Sequence, residues 1–341
     1  MNVLVAMSGG VDSSVAAARL LAQGHEVTGV TLKLWGGDSD SGCCSVADVE
    51  DARRVAGQLD IPHYVFNLAE EFEAAVVDPY VDAYAAGRTP NPCVECNRTM
   101  KWGRLLERSR AMGFDALATG HHARIVHDAS GRSWVARGVD PAKDQAYVLA
   151  VLPGSALVDT LLPVGEVTKA EVRAEATRLG LRTATKAESM DVCFIRRGGR
   201  TDFLDARVSV PAGEVVDVDG NHLGSHAGIT GFTVGQRRGT GVATGDRRYV
   251  VDIDATRARV VIGSREDLMR DEVEVVDWAA THDPIPPGDR VLLQLSAHGT
   301  PVGAVRTEDG FALEERRPRV APGQVVAAFA GDRVIGAGRA R

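Results

Sequence analysis

VAMSGGVDSSVAA, residues 5 to 17, decides how the chain is read. The apolar run NVLVAM leads into Ser8-Gly9-Gly10-Val11-Asp12-Ser13, and an alanine- and leucine-rich stretch follows as far as Gly24. That order fits a buried strand, a glycine turn and a helix. The glycines permit a tight turn and close backbone approach, while a helix N-terminus offers unpaired N–H groups and the positive end of its dipole. Together they make a site suited to a phosphate. The Walker sequence is absent, since no Gly-Lys-Ser/Thr follows, and so is the dinucleotide fingerprint Gly-x-Gly-x-x-Gly. A plain turn joining strand to helix is the alternative.

Outward from this loop, strands and helices alternate. EVTGVTLKLW reads as a second strand, and Ser45 caps a helix with Val46, Val49, Val55, Ala56 and Leu59 on one face. HYVFNL is a third strand, and the stretch from Glu70 to Ala86 is helical with a bend near Pro79. A helix is expected from Asn97 to about Met112, then a strand, DALATGHHA, ending in a Gly-His-His turn. Thr168 and Glu171 match a capping box for a further helix to Leu179. The alternation implies a doubly wound, mostly parallel α/β sheet. After about residue 200, GEVVDVDGNHLG and RYVVDIDATRARVVIG read as hairpins, the first turning at Asp219-Gly220. THDPIPPGDR is a turn or linker, and short alternating strands continue from Arg290. The expected domains are therefore an α/β domain at 1–199, a small β-rich central domain at 200–274 and a C-terminal β-barrel-like domain at 275–341.

A chain of 341 residues suits two or three domains, and 44% hydrophobic with 25% charged residues is ordinary for a soluble protein. No run approaches the ~20 apolar residues of a membrane helix. The first apolar run follows no basic segment, so it reads as a strand and not a signal peptide. Five cysteines without an extracellular signature argue against a disulfide scaffold and for a reducing cytoplasm. A net charge of −7 gives no support to bulk nucleic-acid binding. Basic clusters do occur: Arg196-Arg197 with Arg200, Arg237-Arg238, Arg247-Arg248, and Arg316-Arg317 with Arg319. Each alone reads as solvated surface, while as a set they suit a long polyanion.

NPCVECNRTMKW, residues 91 to 102, sets Cys93 and Cys96 three apart, and SMDVCFI adds Cys193. Metal clip, redox dithiol, nucleophile and simple turn are all open to such a pair. Cys43-Cys44 is a poor disulfide, because adjacent residues need strained geometry.

The loop SGGVDS resembles the PP-loop of the ATP pyrophosphatases, enzymes that cleave ATP to AMP and pyrophosphate while adenylating a substrate oxygen. The resemblance extends along the chain through residues 6 to 13, AGRTPNPCVECN at 86 to 97, ATGH at 118 to 121 and KDQAY at 143 to 147. It continues in LPVGE at 162 to 166, DVCFI at 191 to 195, VGQRRG at 234 to 239 and APGQ at 321 to 324. These segments, in this order, are similar to the tRNA-specific 2-thiouridylases, which thiolate the wobble uridine of certain tRNAs.

That resemblance implies ATP, with Mg2+, at Ala6, Met7, Ser8, Gly9, Gly10, Val11, Asp12, Ser13, Leu32 and Gly120. It implies a nucleophilic Cys96 and a persulfide on Cys193, the two closing a disulfide as sulfur is released. The persulfide would come from a sulfur-relay protein or a cysteine desulfurase. Asn91, Pro92 and Cys93 would hold the target base, and His121, Lys143, Asp144, Gln145 and Gln324 would contact tRNA. Three departures stand out: Cys93 replaces an aspartate common in the family, Leu32 a methionine, and Gln294-Leu295 an arginine–tyrosine pair. With Cys93, Cys96 and Cys193, a [4Fe–4S] cluster with one open iron is an alternative route, whereas zinc would want a fourth ligand. An amidating PP-loop ligase and a non-catalytic tRNA-binding protein are the rival functions.

Overall fold

The computed structural model describes residues 1–35, 45–187, 192–195, 199–242 and 246–341. Cys43-Cys44 and Arg196-Arg197 lie outside these residues. The chain divides into two compact units, one of residues 1–76, 93–197 and 332–334, the other of 77–92, 198–331 and 335–341.

The strands of the first unit are β1 (Asn2–Ala6), β2 (Glu26–Lys33), β3 (His63–Asn67), β4 (Ala116–Thr119), β5 (Ala123–His127), β6 (Ser133–Arg137) and β7 (Thr160–Leu161). Five of them form a sheet in the order β3-β2-β1-β4-β7, and every pairing in it is parallel. Parallel strands are covered on both faces, which is why β1 is a continuous apolar run. Val3, Leu4 and Val5 are wholly buried. On the edge strand β3, Tyr64 and Val65 are exposed. The order reverses between β1 and β4, where Ala6 pairs with Thr119. In open α/β sheets, that reversal at the carboxyl ends of the strands is where ligands bind.

Helix α1 (Val11–Ala22) buries Val11, Val15, Ala16 and Leu20 against β1 residues Val3 and Val5. Helix α2 (Val46–Gln58) starts from a capping box in which Asp48 N–H donates to Ser45 Oγ at 3.1 Å and Ser45 N–H to Asp48 Oδ2 at 3.3 Å. Ala52, Val55 and Ala56 are its buried face, but Val46 is 71% exposed. The expected apolar face thus begins one turn late, because the first turn of α2 stands clear of the core. The helical run from Ala69 to Ala85 is interrupted by a π-helical turn at Glu73–Val77, with Pro79 in the first turn beyond it. The next helix begins at Pro92, five residues before the expected start at Asn97. It runs as a short α segment Pro92–Glu95, a π-helix Cys96–Leu105 and an α segment Leu106–Ala111. Proline suits a first helical position because its missing N–H has no partner to lose.

In the second unit, β8 (Gly213–Val216), β9 (His222–His226), β10 (Tyr249–Asp254) and β11 (Arg259–Gly263) form a sheet in the order β10-β11-β8-β9. Both expected hairpins are present. The β8–β9 turn is organised by Asp217, which accepts from the N–H groups of Asp219 and Asn221, with Gly220 at φ +85°. Six further strands follow: β12 (Met269–Ala280), β13 (Arg290–Gln294), β14 (Val302–Arg306), β15 (Gly310–Pro318), β16 (Val325–Ala330) and β17 (Arg333–Ala340). They run β12-β15-β14-β13-β16-β17 and close through β12–β17 pairing into an antiparallel barrel around Leu293, Ala304, Phe311, Val326 and Ala328. Closure removes the open edges that would otherwise recruit other strands. The parallel α/β domain, the small β-rich region and the C-terminal barrel are the architecture expected from sequence. No helix among the described residues is long and apolar enough to cross a membrane.

The capping box of helix Lys169–Arg178 is formed as the sequence indicates, with Thr168 N–H donating to Glu171 Oε2 at 2.7 Å and Glu171 N–H to Thr168 Oγ1 at 3.3 Å. Replacing Thr168 by alanine should cost about 1 kcal/mol, seen as a lower thermal midpoint with unchanged far-ultraviolet dichroism at 20 °C.

Candidate active site

The loop between β1 and α1 is shaped by close packing from two sides. Gly9 sits at φ +71°, and a Cβ there would lie 2.2 Å from the Asp48 carbonyl oxygen. Gly120, after β4, leaves room for the backbone of Ser13, whose nitrogen would be 2.5 Å from an added Cβ. Both positions therefore exclude any side chain. Met7 is buried and its carbonyl accepts from Thr31 Oγ1 at 2.7 Å, while Leu32 on β2 is 7% exposed. The hydroxyls of Ser13 and Ser14 donate to Gly10 O at 3.2 and 2.8 Å, and Ser8 N–H donates to Ser13 Oγ at 3.2 Å. Gly10 caps α1 without a side-chain hydrogen bond. The first turn of α1 thus keeps the anion-binding character of a helix N-terminus.

Two lysines reach this loop from far along the chain. Lys186 donates to Gly9 O at 3.0 Å, Asp48 Oδ1 at 2.6 Å and Asp51 Oδ2 at 2.7 Å, which uses all three ammonium protons. Burial lowers the Lys186 pKa, but the bonds to Asp48 and Asp51 outweigh it and hold the group above its ordinary value. Lys169 grips Asp12 with contacts of 2.7 and 2.6 Å, and His122 Nε2 donates to Asp12 Oδ1 at 3.0 Å. Burial raises the Asp12 carboxyl, yet the His122 and Lys169 bonds carry it below the usual range. Lys169, Lys186 and His122 were not singled out from sequence. Their partners lie 157, 177 and 110 positions away, and no local pattern marks them.

The cysteine helix forms a second cluster in the same unit. Cys96 is 8% exposed and opens the π-helix, while Cys93 and Cys193 are half-buried. Next to Cys96, Asn97 donates to Val148 O at 3.0 Å and accepts from Lys101 Nζ at 2.9 Å. Lys101 also lies 3.5 Å from His121 Nε2, and Thr119 Oγ1 is 2.6 Å from His121 Nδ1. An ammonium group only donates, so the His121 ring proton belongs on Nδ1. Burial first, then the Lys101 charge and His122, push His121 well below its ordinary pKa and keep it neutral at pH 7. Trp102 packs tilted against His121, centroids 5.4 Å apart, and donates from Nε1 to Thr160 Oγ1 at 2.8 Å. Cys193 is anchored through its neighbour Phe194, which packs on Trp35 and Phe72 with centroids 5.9 and 5.6 Å apart. Among the described residues, no three His, Cys, Asp or Glu side chains are placed to hold a metal ion.

The residues expected at tRNA are distributed over both units. Asp144 accepts from Arg137 Nη1 at 2.8 Å and from the N–H groups of Gly138 and Ala146 at 3.0 Å. Gln145 Oε1 accepts from His122 N–H at 2.9 Å, and Gln145 N–H donates to His122 O at 2.9 Å. Lys143, half-buried, precedes them. In the second unit, Gln324 Nε2 donates to Thr89 O at 2.7 Å, and Thr89 N–H to Pro322 O at 2.7 Å, which fixes the strand leading to Asn91 and Pro92. Of the basic clusters, Arg237, Arg238 and Arg247 are exposed. Arg316 pairs with Glu266, Arg317 with Glu315 and Arg319 with Asp252. A cavity of ≈ 410 Å³ in the second unit, walled by Thr201, Asp205, His226 and Thr240 among others, includes none of the candidate ATP-, tRNA- or sulfur-handling residues.

Asp12 sets a pH signature. A carboxyl held low in the folded chain stabilises it fully above the unfolded pKa, about 3.9, and loses that contribution as pH falls through the folded value. The stabilities of wild type and Asp12→Asn, followed by urea unfolding, should differ above about pH 4 and converge progressively as pH falls below it.

A family model described as tRNA methyl transferase HUP domain matches residues 1–197, and one described as tRNA methyl transferase PRC-barrel domain matches 201–264. A curated relative named tRNA-specific 2-thiouridylase MnmA, from Chloroflexus aurantiacus (strain ATCC 29366 / DSM 635 / J-10-fl), is 45% identical over 350 residues, covering 99% of this chain and 97% of that one. Another of the same name, from Mycobacteroides abscessus, is 47% identical over 356 residues, covering 98% of each. A 4-thiouridine synthetase solved with RNA and ATP overlaps remotely, at 18% identity and a TM-score of 0.37 over 56% of this chain and 44% of that one. With its glycine loop at the strand-order reversal and near half of its residues shared from end to end, the chain belongs to the family of the tRNA-specific 2-thiouridylases.

Proposed function

We propose that the protein uses ATP to replace O2 of the wobble uridine of tRNA by sulfur. The observation that carries this reading is the loop Ser8–Ser13 at the β1/β4 reversal, held open by Gly9 and Gly120, in a unit that also carries Cys96 and Cys193. The family models are worded for methyl transfer. Cysteine chemistry favours thiolation, because carrying sulfur needs a thiol and methyl transfer does not.

In this reading the triphosphate lies on the N–H groups of the loop and the first turn of α1, with the adenine beside Ala6, Met7 and Leu32. Magnesium accompanies the phosphates and neutralises their charge. Uridine O2 attacks the α-phosphorus and pyrophosphate leaves, so that C2 becomes electrophilic. Asn91, Pro92 and Cys93 hold the base after it leaves its stack, at a cost of a few kcal/mol. His121, Lys143 and Gln324 line the RNA path, while Asp144 and Gln145 shape it through their bonds to Arg137 and His122. Cys193 carries a persulfide donated by a relay protein or a cysteine desulfurase. Cys96 attacks its inner sulfur, forms a Cys96–Cys193 disulfide and frees hydrosulfide, which attacks C2 as AMP departs. The thiolate is the attacking form. The work is assigned to the cytoplasm, where reducing conditions regenerate the thiols.

Anaerobic reconstitution of iron-free protein with ATP, magnesium, a persulfide donor and unmodified tRNA should yield 2-thiouridine and AMP. Cys96→Ser and Cys193→Ser should each lower 2-thiouridine by at least about 100-fold, and full activity in either would remove the persulfide route. Thiolation that appears only after iron loading would do the same. Lys186→Met frees the Gly9 carbonyl and leaves Asp48 and Asp51 facing the phosphates. ATP binding by calorimetry should weaken about tenfold, or 1.4 kcal/mol.

A further inference from the structure

We propose that Cys93 is the resolving thiol of the sulfur-transfer cycle. It attacks the Cys96–Cys193 disulfide at Cys96, releases Cys193 for the next persulfide, and leaves a Cys93–Cys96 disulfide that an external dithiol reduces. This rests on the persulfide route argued above.

The placement of the two sulfurs carries the inference. Cys93 lies in the α segment Pro92–Glu95, and Cys96 opens the π-helix that continues it. Residues three apart on a helix share a face, with Cβ atoms about 5–6 Å apart. A disulfide needs about 3.5–4.5 Å, so a shift of about 1–2 Å in the terminal turn joins them. Cys93 is thus a permanent neighbour of Cys96, and a thiol held beside a disulfide reacts at a high effective concentration. Cys93 is half-buried, so it stays within reach of an external dithiol once bonded to the buried Cys96.

The chemistry balances. Cys93 thiolate forms a bond to Cys96 Sγ, its former proton having gone to solvent. The Cys96–Cys193 bond breaks and its electron pair leaves on Cys193, which is then a thiolate ready to accept sulfur. Two electrons and two protons from the external dithiol return Cys93 and Cys96 to thiols as that dithiol becomes a disulfide. A carboxylate at position 93 could take no part in such an exchange.

The test uses the full chain, persulfidated with inorganic polysulfide and given ATP, magnesium and unmodified tRNA for a single turnover. Quenching in N-ethylmaleimide and peptide mapping without reduction then show where the disulfide rests. Wild type should carry Cys93–Cys96 within one peptide. Cys93→Ser should accumulate Cys96–Cys193, and its multiple-turnover rate should depend on added dithiothreitol about fivefold more steeply than that of wild type. Wild type ending with Cys96–Cys193 overturns the proposal, as does an equal dithiothreitol dependence in the variant. Thiolation with no protein disulfide of either kind overturns the persulfide route together with it.

Discussion

One ammonium group, that of Lys186, fixes the geometry on which the nucleotide loop depends. It joins the carbonyl of Gly9 to two carboxylates on the first turns of α2, Asp48 and Asp51. Hydrogen bonds between charged partners contribute about 1.5–3 kcal/mol each, although removing the charges from water offsets much of that. The net gain is therefore less in energy than in position. Gly9 is pressed against Asp48 so closely that no Cβ fits, and the lysine holds both sides of that contact. Lys169 does the same for Asp12 at the other end of the loop. A P-loop places its lysine inside the glycine motif; here the cations come from the region that follows β7.

The cysteine helix applies a related principle to sulfur. A buried thiol is ordinarily inert, and Cys96 is buried on the same helix as Asn97, Met100 and Trp102. Its surroundings are braced by hydrogen bonds that leave little freedom: Asn97 to Val148, Lys101 to Asn97, Trp102 to Thr160. His121, kept neutral beside Lys101, ends the β4 turn whose Gly120 also closes on the loop. The glycine loop and the cysteine helix thus share one short segment, residues 119 to 122, which ties them together.

Much of this was legible in sequence because it is written locally. The glycine loop, the capping boxes at Ser45 and Thr168, the hairpin turn at Asp219-Gly220 and the alternation of strands and helices all depend on neighbours within a few residues. What escaped was written at a distance or off the usual period. Lys186 finds Gly9 only after the sheet has formed. The helix expected from Asn97 begins five residues earlier, at Pro92, and from Cys96 runs as a π-helix, off the 3.6-residue repeat. Val46 has the right spacing for the core face of α2 but lies on a turn that meets no core. Arg316, Arg317 and Arg319 read as a basic patch, although each faces a carboxylate brought by another strand, by the helix before β12 or by its own strand.

The wide turns of the cysteine helix also make chain length a measured quantity. A π-helix carries extra residues relative to an α-helix spanning the same rise, and such bulges sit most often at functional positions. Trp102 is fixed to Thr160 at one end of the segment and Pro92 begins it at the other. Losing a single residue between them would let the helix relax to the ordinary period and turn Cys96 by about 100° about the axis. Asn97, Met100 and Lys101 keep their packing and hydrogen bonds only while the number of residues holds, which makes this stretch intolerant of deletion.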